Sequence, residues 1–233
     1  MPYLINVLGV GNYGLYSFAL AISLYLVILT DYGFGFTGVK LISINRGNPE
    51  KVSSIFHGIQ IIKMGILLVI LVVYTLSILF FETLSINKKI YFLSFGILIG
   101  QTLVPVWFFQ GMERMKFITI INLFIRTSAV VLILIFVKKP DDINLAIAAQ
   151  AISFSAAGVL SIVLAYREFK LKFIIPKFSI ISNLLVTSRH MFFSTISLSL
   201  YKNFNVVLLG FLSTTVEVAI YAAAERIIKA VQS

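Results

Sequence analysis

Long stretches without charged residues recur along this chain of 233 residues. They lie at 15–30 with an extension to about 44, then at 64–81, 90–109, 117–137, 143–166 and 190–212, and another begins near 216. About 20 helical residues cross the roughly 30 Å hydrocarbon core of a bilayer, so each complete stretch is long enough to span it. Open strands are excluded because lipid offers an unpaired backbone amide no partner. The pattern predicts an all-α, polytopic transmembrane helix bundle with six complete helices and the start of a seventh.

The distribution of charge supports this prediction and orients the bundle. Hydrophobic residues make up 59% of the chain and charged residues 12%, whereas soluble domains average about 45–50% and about 25%. Eleven Lys and Arg lie in the connections around 40–63, 114–116 and 167–189, against four in those around 88–89 and 138–139. The positive-inside rule places the richer side in the cytoplasm. Because topology explains most of the net charge of +10, no nucleic-acid partner is predicted.

The basic segment 167–189 divides the chain into predicted parts. We expect first-lobe transmembrane helices over 1–166 with the first helix incomplete, a basic cytoplasmic connection over 167–189, and the start of a second lobe over 190–233. In that connection, the bases alternate with Phe169, Phe173 and Phe178, a pattern that suits anionic lipid headgroups. Residues 45–60 are predicted to be a cytoplasmic amphipathic linker. No signal peptide is visible after Met1 and the last apolar run stops at Ser233, so we expect both ends to be truncated.

Charged residues inside the predicted spans are the main candidates for function. A charge near the bilayer centre costs several kcal/mol, so it normally faces a partner or a hydrated cavity. Asp31 lies within an extended span, beside glycines that loosen the helix, and either fixes packing with a cation or has a coupling or gating role. Arg126 lies near the middle of 117–137 and should face the interior, where it pairs with Asp31 or Glu225 or contacts an anionic ligand.

Two further helices carry polar residues at helical spacing. Ser194, Ser197, Tyr201 and Asn205 follow one another at steps of three and four with Lys202 alongside, which predicts a wet stripe on one face. Glu225 and Lys229 are four residues apart in the last helix, next to Arg226. The intramembrane cations outnumber the carboxylates; they are Arg126, Lys202, Arg226 and Lys229, against Asp31 and Glu225. A cavity built from these helices would be cationic, which indicates an anionic cargo.

Enzymatic chemistry has little support in the sequence. Cysteine is absent, which excludes thiolate catalysis and Cys-ligated metal centres. The run Gly9-Val10-Gly11-Asn12-Tyr13-Gly14 matches a dinucleotide-binding fingerprint, but the helix that follows has no charge on any face, unlike a helix that covers a Rossmann sheet. A turn between two spans is the better interpretation. Metal or catalytic-triad roles for His57 and His190 are not favoured, so no catalytic residues, metal site or cofactor are predicted.

Several stretches resemble one family of membrane proteins. Two of them are distinctive, Asp31-Tyr32-Gly33-Phe34 and Trp107-Phe108-Phe109-Gln110-Gly111, and the whole set lies at 8–19, 30–34, 43–46, 105–113, 205–211 and 221–230. Together they resemble, in order, the Wzx-type O-antigen flippases, the polysaccharide-exporter branch of the MOP superfamily, which also includes the MATE multidrug exporters. On that comparison, the chain holds the second to eighth helices of a protein whose members have more at both ends.

The resemblance implies a function for the predicted cavity. Such a protein is a two-lobed inner-membrane bundle of about 12–14 helices that moves a lipid-linked oligosaccharide, carried on undecaprenyl diphosphate, from the cytoplasmic to the periplasmic leaflet by alternating access. The pyrophosphate would contact cavity residues, which are Arg126, Lys202, Arg226, Lys229, Asn205 and Tyr201. Asp31 or Glu225 would exchange H⁺ or Na⁺ for coupling. The expected partners are the lipid-linked oligosaccharide, membrane lipids and the polysaccharide polymerase machinery.

Three other interpretations remain open from the sequence. A multidrug exporter of the same superfamily would favour cationic drugs and an acidic cavity, which the excess of cations opposes. A polysaccharide polymerase or ligase would carry a large periplasmic loop, whereas the predicted external loops, 82–89, 138–142 and 213–216, are short. An inactive, truncated remnant of a flippase is the third.

Overall fold

The fold is a bundle of long helices. The computed structural model describes the backbone of residues 2–232, and the side chains of all of these except 2, 83, 199–204 and 226–232. The helices are α1 Pro2–Asp31, α2 Phe34–Asn45, α3 Pro49–Phe80, α4 Glu82–Ser85, α5 Lys88–Leu103, α6 Val106–Gly111, α7 Met115–Phe136, α8 Ile143–Phe169, α9 Phe178–Leu212 and α10 Thr215–Gln232, with a short 3₁₀ turn at Pro140–Asp142 before α8. No strand occurs in residues 2–232.

Among the described residues, five helical segments are long and apolar enough to cross a membrane. They are Tyr3–Asp31, Pro49–Phe80, Lys88–Gly111, Met115–Phe136 and Pro140–Phe169. They confirm the predicted all-α, multi-pass membrane protein. The sixth predicted span lies within α9, whose middle includes side chains outside the described residues.

The predicted linker over 45–60 is largely a spanning helix. The side chain of Asn48 accepts a hydrogen bond from the backbone N–H of Lys51 at 3.0 Å, and Pro49 occupies the first turn, where its missing N–H costs nothing. From this start, α3 continues without interruption to Phe80. Lys63, counted above as a residue of a cytoplasmic connection, therefore lies near the middle of a 32-residue helix. Without Lys63, the connections on the predicted cytoplasmic side hold ten Lys and Arg and those on the opposite side hold four, so the predicted orientation is unchanged.

The connection between the predicted lobes is also shorter than expected. It comprises residues 170–177, because α8 extends to Phe169 and α9 already begins at Phe178. The Phe169 ring packs into an aromatic cluster, with ring centroids 5.0 Å from Phe108 and 5.9 Å from Phe117. Phe173 and Phe178 are 77% and 83% exposed. Only these two of the three predicted phenylalanines are thus free to meet lipid.

The helix is interrupted between α1 and α2 at Tyr32 and Gly33, and this interruption is called the break below. Both have positive φ angles, 44° and 76°, in the left-handed region that glycine adopts without strain. A Cβ atom at Gly33 would also lie only 2.8 Å from the Cβ of Met191 on α9. Glycine is therefore needed here both for its backbone conformation and for the close approach of α9.

The most extensive helix contact is that between α5 and α8. Gly96 and Gly100 lie one turn apart on α5, and Gly158 faces them from α8. A Cβ at Gly96 would lie 2.7 Å from Cβ of Ala151, and one at Gly100 would overlap the backbone of Phe154. Small residues at this spacing let helix backbones approach closely in lipid, where van der Waals packing drives association.

Replacing Gly100 with Leu should destabilise the bundle by about 1–3 kcal/mol, because the side chain has no room between α5 and α8. Gly65→Leu on α3 is the matched control, since a Cβ there meets nothing within 4 Å. Thermal unfolding in detergent, followed by the fluorescence of Trp107, gives the comparison. Equal unfolding midpoints for the two variants would contradict this account of the helix contact.

Candidate functional site

An ion pair lies beside the break between α1 and α2. The Nζ of Lys63 on α3 donates to Oδ1 of Asp31 at 2.7 Å. The side chain of Lys63 is 1% exposed, whereas that of Asp31 is 45% exposed. Since an unpaired charge deep in a bilayer is costly, the pair lets both charges exist inside the span. The carboxylate still has an open side that a ligand or ion can reach.

Hydroxyl groups and rings join neighbouring helices to the same break. The hydroxyls of Thr30 on α1 and Thr102 on α5 are 3.1 Å apart. On the other side, the Thr37 hydroxyl is 2.6 Å from that of Ser188 on α9. The ring of Tyr32 stacks on Phe192 of α9, with centroids 4.5 Å apart. The break is therefore a junction at which α1, α2, α3, α5 and α9 meet.

A second junction joins α2 to the end of α6. The Arg46 guanidinium forms two contacts with the Glu113 carboxylate, at 2.6 and 2.8 Å, and its Nε donates to the carbonyl oxygen of Gly111 at 2.6 Å. Hydrogen bonding and charge from Arg46 lower the pKa of Glu113 below its ordinary value. Two of the stretches that carry the family resemblance, 43–46 and 105–113, thus bind each other and hold the packing of the bundle.

The structure places Arg126 on an open face of α7. Residues Ile121, Ile125 and Ala129 form the buried face of this helix, and Arg126 is exposed. Among the described residues, no side chain forms a hydrogen bond or ion pair with it. The expected interior position and the expected pairing with Asp31 are not found, because Asp31 pairs with Lys63. A contact with an anionic ligand remains a prediction.

The other predicted cavity residues lie on α9 and α10. Asn205 is exposed, and its amide donates to the Tyr221 hydroxyl at 2.8 Å, which links the two helices. Ser194 and Ser197 of the predicted wet stripe are exposed as well. Glu225 is partly buried on α10. The side chains of Tyr201, Lys202, Arg226 and Lys229 lie outside the described residues, so their roles stay predictions.

Lys63 is the residue that the sequence analysis missed. It follows a turn cluster and several polar residues, which placed it in the predicted cytoplasmic connection, just after the linker over 45–60. The available signal was the apolar residues on both sides of Lys63, which are Ile59, Ile61 and Ile62 before it and the run 64–73 after it. His57, which precedes Lys63 on α3, has a structural role. Its Nδ1 donates to the Ser53 carbonyl oxygen at 2.6 Å, and its Nε2 accepts from the Tyr166 hydroxyl at 2.6 Å.

The bundle also contains an apolar groove. It has a volume of about 390 Å³ and lies between α1 and α3, with contributions from α9. Tyr25 and Leu29 line it on α1, Val69 and Val73 on α3, and Phe211 on α9. Val69 and Val73 are 64% and 57% exposed, so the groove is open to the surface of the bundle.

Comparison with known proteins places the chain in a family. The sequence profile of one family, described as "Polysaccharide biosynthesis protein", matches residues 1–233. The chain belongs to this polysaccharide biosynthesis family. A family protein from Escherichia coli (strain K12) is 29% identical over 231 residues, which is 99% of this chain. One from Shigella dysenteriae is 26% identical over 239 residues and all of this chain.

Both relatives are named for O-antigen transport, which agrees with the resemblance found in the sequence. The chain covers 56% and 58% of their lengths, so it spans little more than half of each relative. No solved structure matches the chain. The family match and the apolar helices together show a multi-pass membrane protein.

The ion pair predicts an unequal response to removing its two charges. Asp31→Asn should destabilise the protein by about 3–5 kcal/mol, because it leaves the buried Lys63 charge without its carboxylate. Lys63→Met should cost less, since Asp31 is partly exposed. The double variant should recover much of the stability lost in Asp31→Asn. Thermal unfolding in detergent measures all three, and a more severe loss in Lys63→Met than in Asp31→Asn would refute the arrangement.

Proposed function

We propose that this chain forms part of a transporter that moves a lipid-linked oligosaccharide from the cytoplasmic to the periplasmic leaflet of a bacterial inner membrane. The cargo is a repeat unit of O-antigen, capsule or a related polysaccharide on undecaprenyl diphosphate. The observation that carries the proposal is the family match over residues 1–233, together with relatives named for O-antigen transport that align with nearly the whole chain. The chemistry is transport without bond making, so the protein is not an enzyme.

The diphosphate of the cargo would be held by cations in the membrane. Arg126 supports this role because its guanidinium is exposed and unengaged among the described residues. Arginine binds phosphate oxygens through parallel N–H donors. Lys202, Arg226 and Lys229 would add positive charge from α9 and α10, and Tyr201 and Asn205 would add hydrogen bonds. A cationic site of this kind opposes the alternative of a multidrug exporter for cationic drugs.

The ion pair at the break supports a coupling role for Asp31. Its carboxylate is 45% exposed, so a proton or Na⁺ can reach it, whereas Lys63 is 1% exposed. Neutralising Asp31 would leave the buried ammonium without a counter-charge, which favours a rearrangement at the break. Because α9 contacts the same break through Ser188 and Phe192, the change would reach the start of the second lobe. Glu225 on α10 is the second candidate for ion exchange.

In this proposal, the two lobes rock about a site near the middle of the membrane and so open it to each side in turn. The diphosphate would occupy the cationic cavity, while the polyprenyl chain would stay in lipid. The apolar groove between α1 and α3, with its volume of about 390 Å³, offers that chain a path along the protein surface. After transfer, the polysaccharide polymerase machinery would receive the repeat unit on the periplasmic side.

Arg126→Ala should abolish surface polysaccharide in a strain that lacks its own transporter and depends on this gene, because the cavity loses a diphosphate contact. Membrane levels of the variant should equal those of the wild type, since Arg126 forms no hydrogen bond or ion pair with another described side chain. Arg126→Lys should restore part of the activity by restoring the charge. Lys116→Ala, at the exposed start of the same helix, is the matched control. Normal polysaccharide in Arg126→Ala would remove this residue from the mechanism.

A further inference from the structure

A second recess lies at the basic end of the bundle, where the end of α2 meets the starts of α3 and α9. Its volume is about 460 Å³. Leu41, Ile55, Ile180 and Leu184 give it apolar walls, and polar side chains complete the lining. It is separate from the ion pair at the break and from the apolar groove described above.

Several polar side chains of the recess can donate hydrogen bonds. Lys51 is exposed, and neither its ammonium nor the hydroxyls of Ser54 and Ser179 bond to any described side chain or backbone group. The Asn183 amide oxygen accepts from the Thr187 hydroxyl at 3.3 Å, which leaves the amide N–H₂ group to donate. One positive charge and several free donors on two helices, α3 and α9, suit an anion with several oxygen atoms.

No carboxylate competes for these donors among the described lining residues. The neighbouring Glu50 lies 3.6 Å from the ammonium of Lys172 and is thus engaged outside the recess. Since a phosphate group offers several acceptor oxygens and a negative charge, it fits the donor set better than a neutral ligand.

The segment that leads into α9 places the recess at the level of lipid headgroups. Phe173, Ile175 and Phe178 are 77%, 79% and 83% exposed, and basic residues alternate with them; the bases are Lys170, Lys172 and Lys177. Exposed apolar side chains beside Lys are typical of segments that lie in the interface of an anionic membrane. Ser179 and Ile180 of the recess follow this segment directly. Membrane lipid is therefore the nearest source of a phosphate ligand.

We propose that this recess binds the phosphate headgroup of a lipid from the cytoplasmic leaflet. Lys51 contacts the phosphate, Ser54, Ser179 and Asn183 donate hydrogen bonds to it, and the apolar walls hold the first carbons of the lipid chain. Phosphatidylglycerol and a polyprenyl phosphate share this chemistry. The proposal goes beyond the transport function and stands without it, because a bound lipid phosphate does not require flipping.

Native mass spectrometry of the purified full chain tests the proposal with three lipids: phosphatidylglycerol, undecaprenyl phosphate, and diacylglycerol as the phosphate-free control. A phosphate lipid should bind the wild type, and Lys51→Gln should weaken its binding about tenfold by removing one charged contact. Lys40→Gln, an exposed lysine at the same end but outside the recess, should leave binding unchanged. Ser54→Leu, which fills the recess and keeps the charge, should also weaken binding.

The three lipids identify the source of the phosphate. Tighter binding of phosphatidylglycerol assigns the recess to a membrane phospholipid, and tighter binding of undecaprenyl phosphate makes it an entry site for the transport cargo. Equal binding of diacylglycerol, or equal effects of Lys51→Gln and Lys40→Gln, would overturn the proposal. Thermal unfolding midpoints near that of the wild type show that the variants are folded. A variant that loses lipid binding but keeps normal surface polysaccharide supports the lipid site without a role in transport. A variant that keeps lipid binding but loses surface polysaccharide affects transport alone.

Discussion

The buried ammonium of Lys63 is the constraint on which the arrangement of the bundle depends. A charge that is 1% exposed near the middle of a spanning helix needs a counter-charge at close range. Asp31 supplies it only because α1 ends there and the chain turns at Tyr32 and Gly33. The same turn releases α2 to pack on α6 and allows α9 to approach within contact distance of Gly33. A single electrostatic requirement therefore fixes the place at which five helices meet.

The two polar junctions differ in a way that bears on function. Arg46 is partly exposed and Glu113 is exposed, both near helix ends, where water reduces the strength of their attraction. Lys63 is buried in the bundle, whereas the carboxylate of its partner Asp31 has an open side. The first junction fastens the ends of α2 and α6. The second holds a buried ammonium against a carboxylate that a ligand or ion can reach.

The membrane bundle was predictable from the sequence because a spanning helix is recognised from one short stretch of residues. A stretch of about 20 apolar residues has few alternatives to a spanning helix, and Asp31 was recognisable as an intramembrane charge for the same reason. The partner of Asp31 was not predictable in this way. Lys63 follows Asn48 and Pro49, which signal a turn, and the structure shows that the helix they begin continues to Phe80. The segment 178–189 was likewise assigned to a connection from its bases, although it forms the start of α9.

The central claim is that the protein moves a lipid-linked oligosaccharide across a bilayer. Proteoliposomes that contain the purified protein and a fluorescent oligosaccharide on undecaprenyl diphosphate test it most directly. The account predicts that label becomes accessible to a membrane-impermeant quencher on the opposite face, at a rate that falls sharply in Asp31→Asn with the protein still folded. Accessibility no faster than in protein-free liposomes would contradict the account.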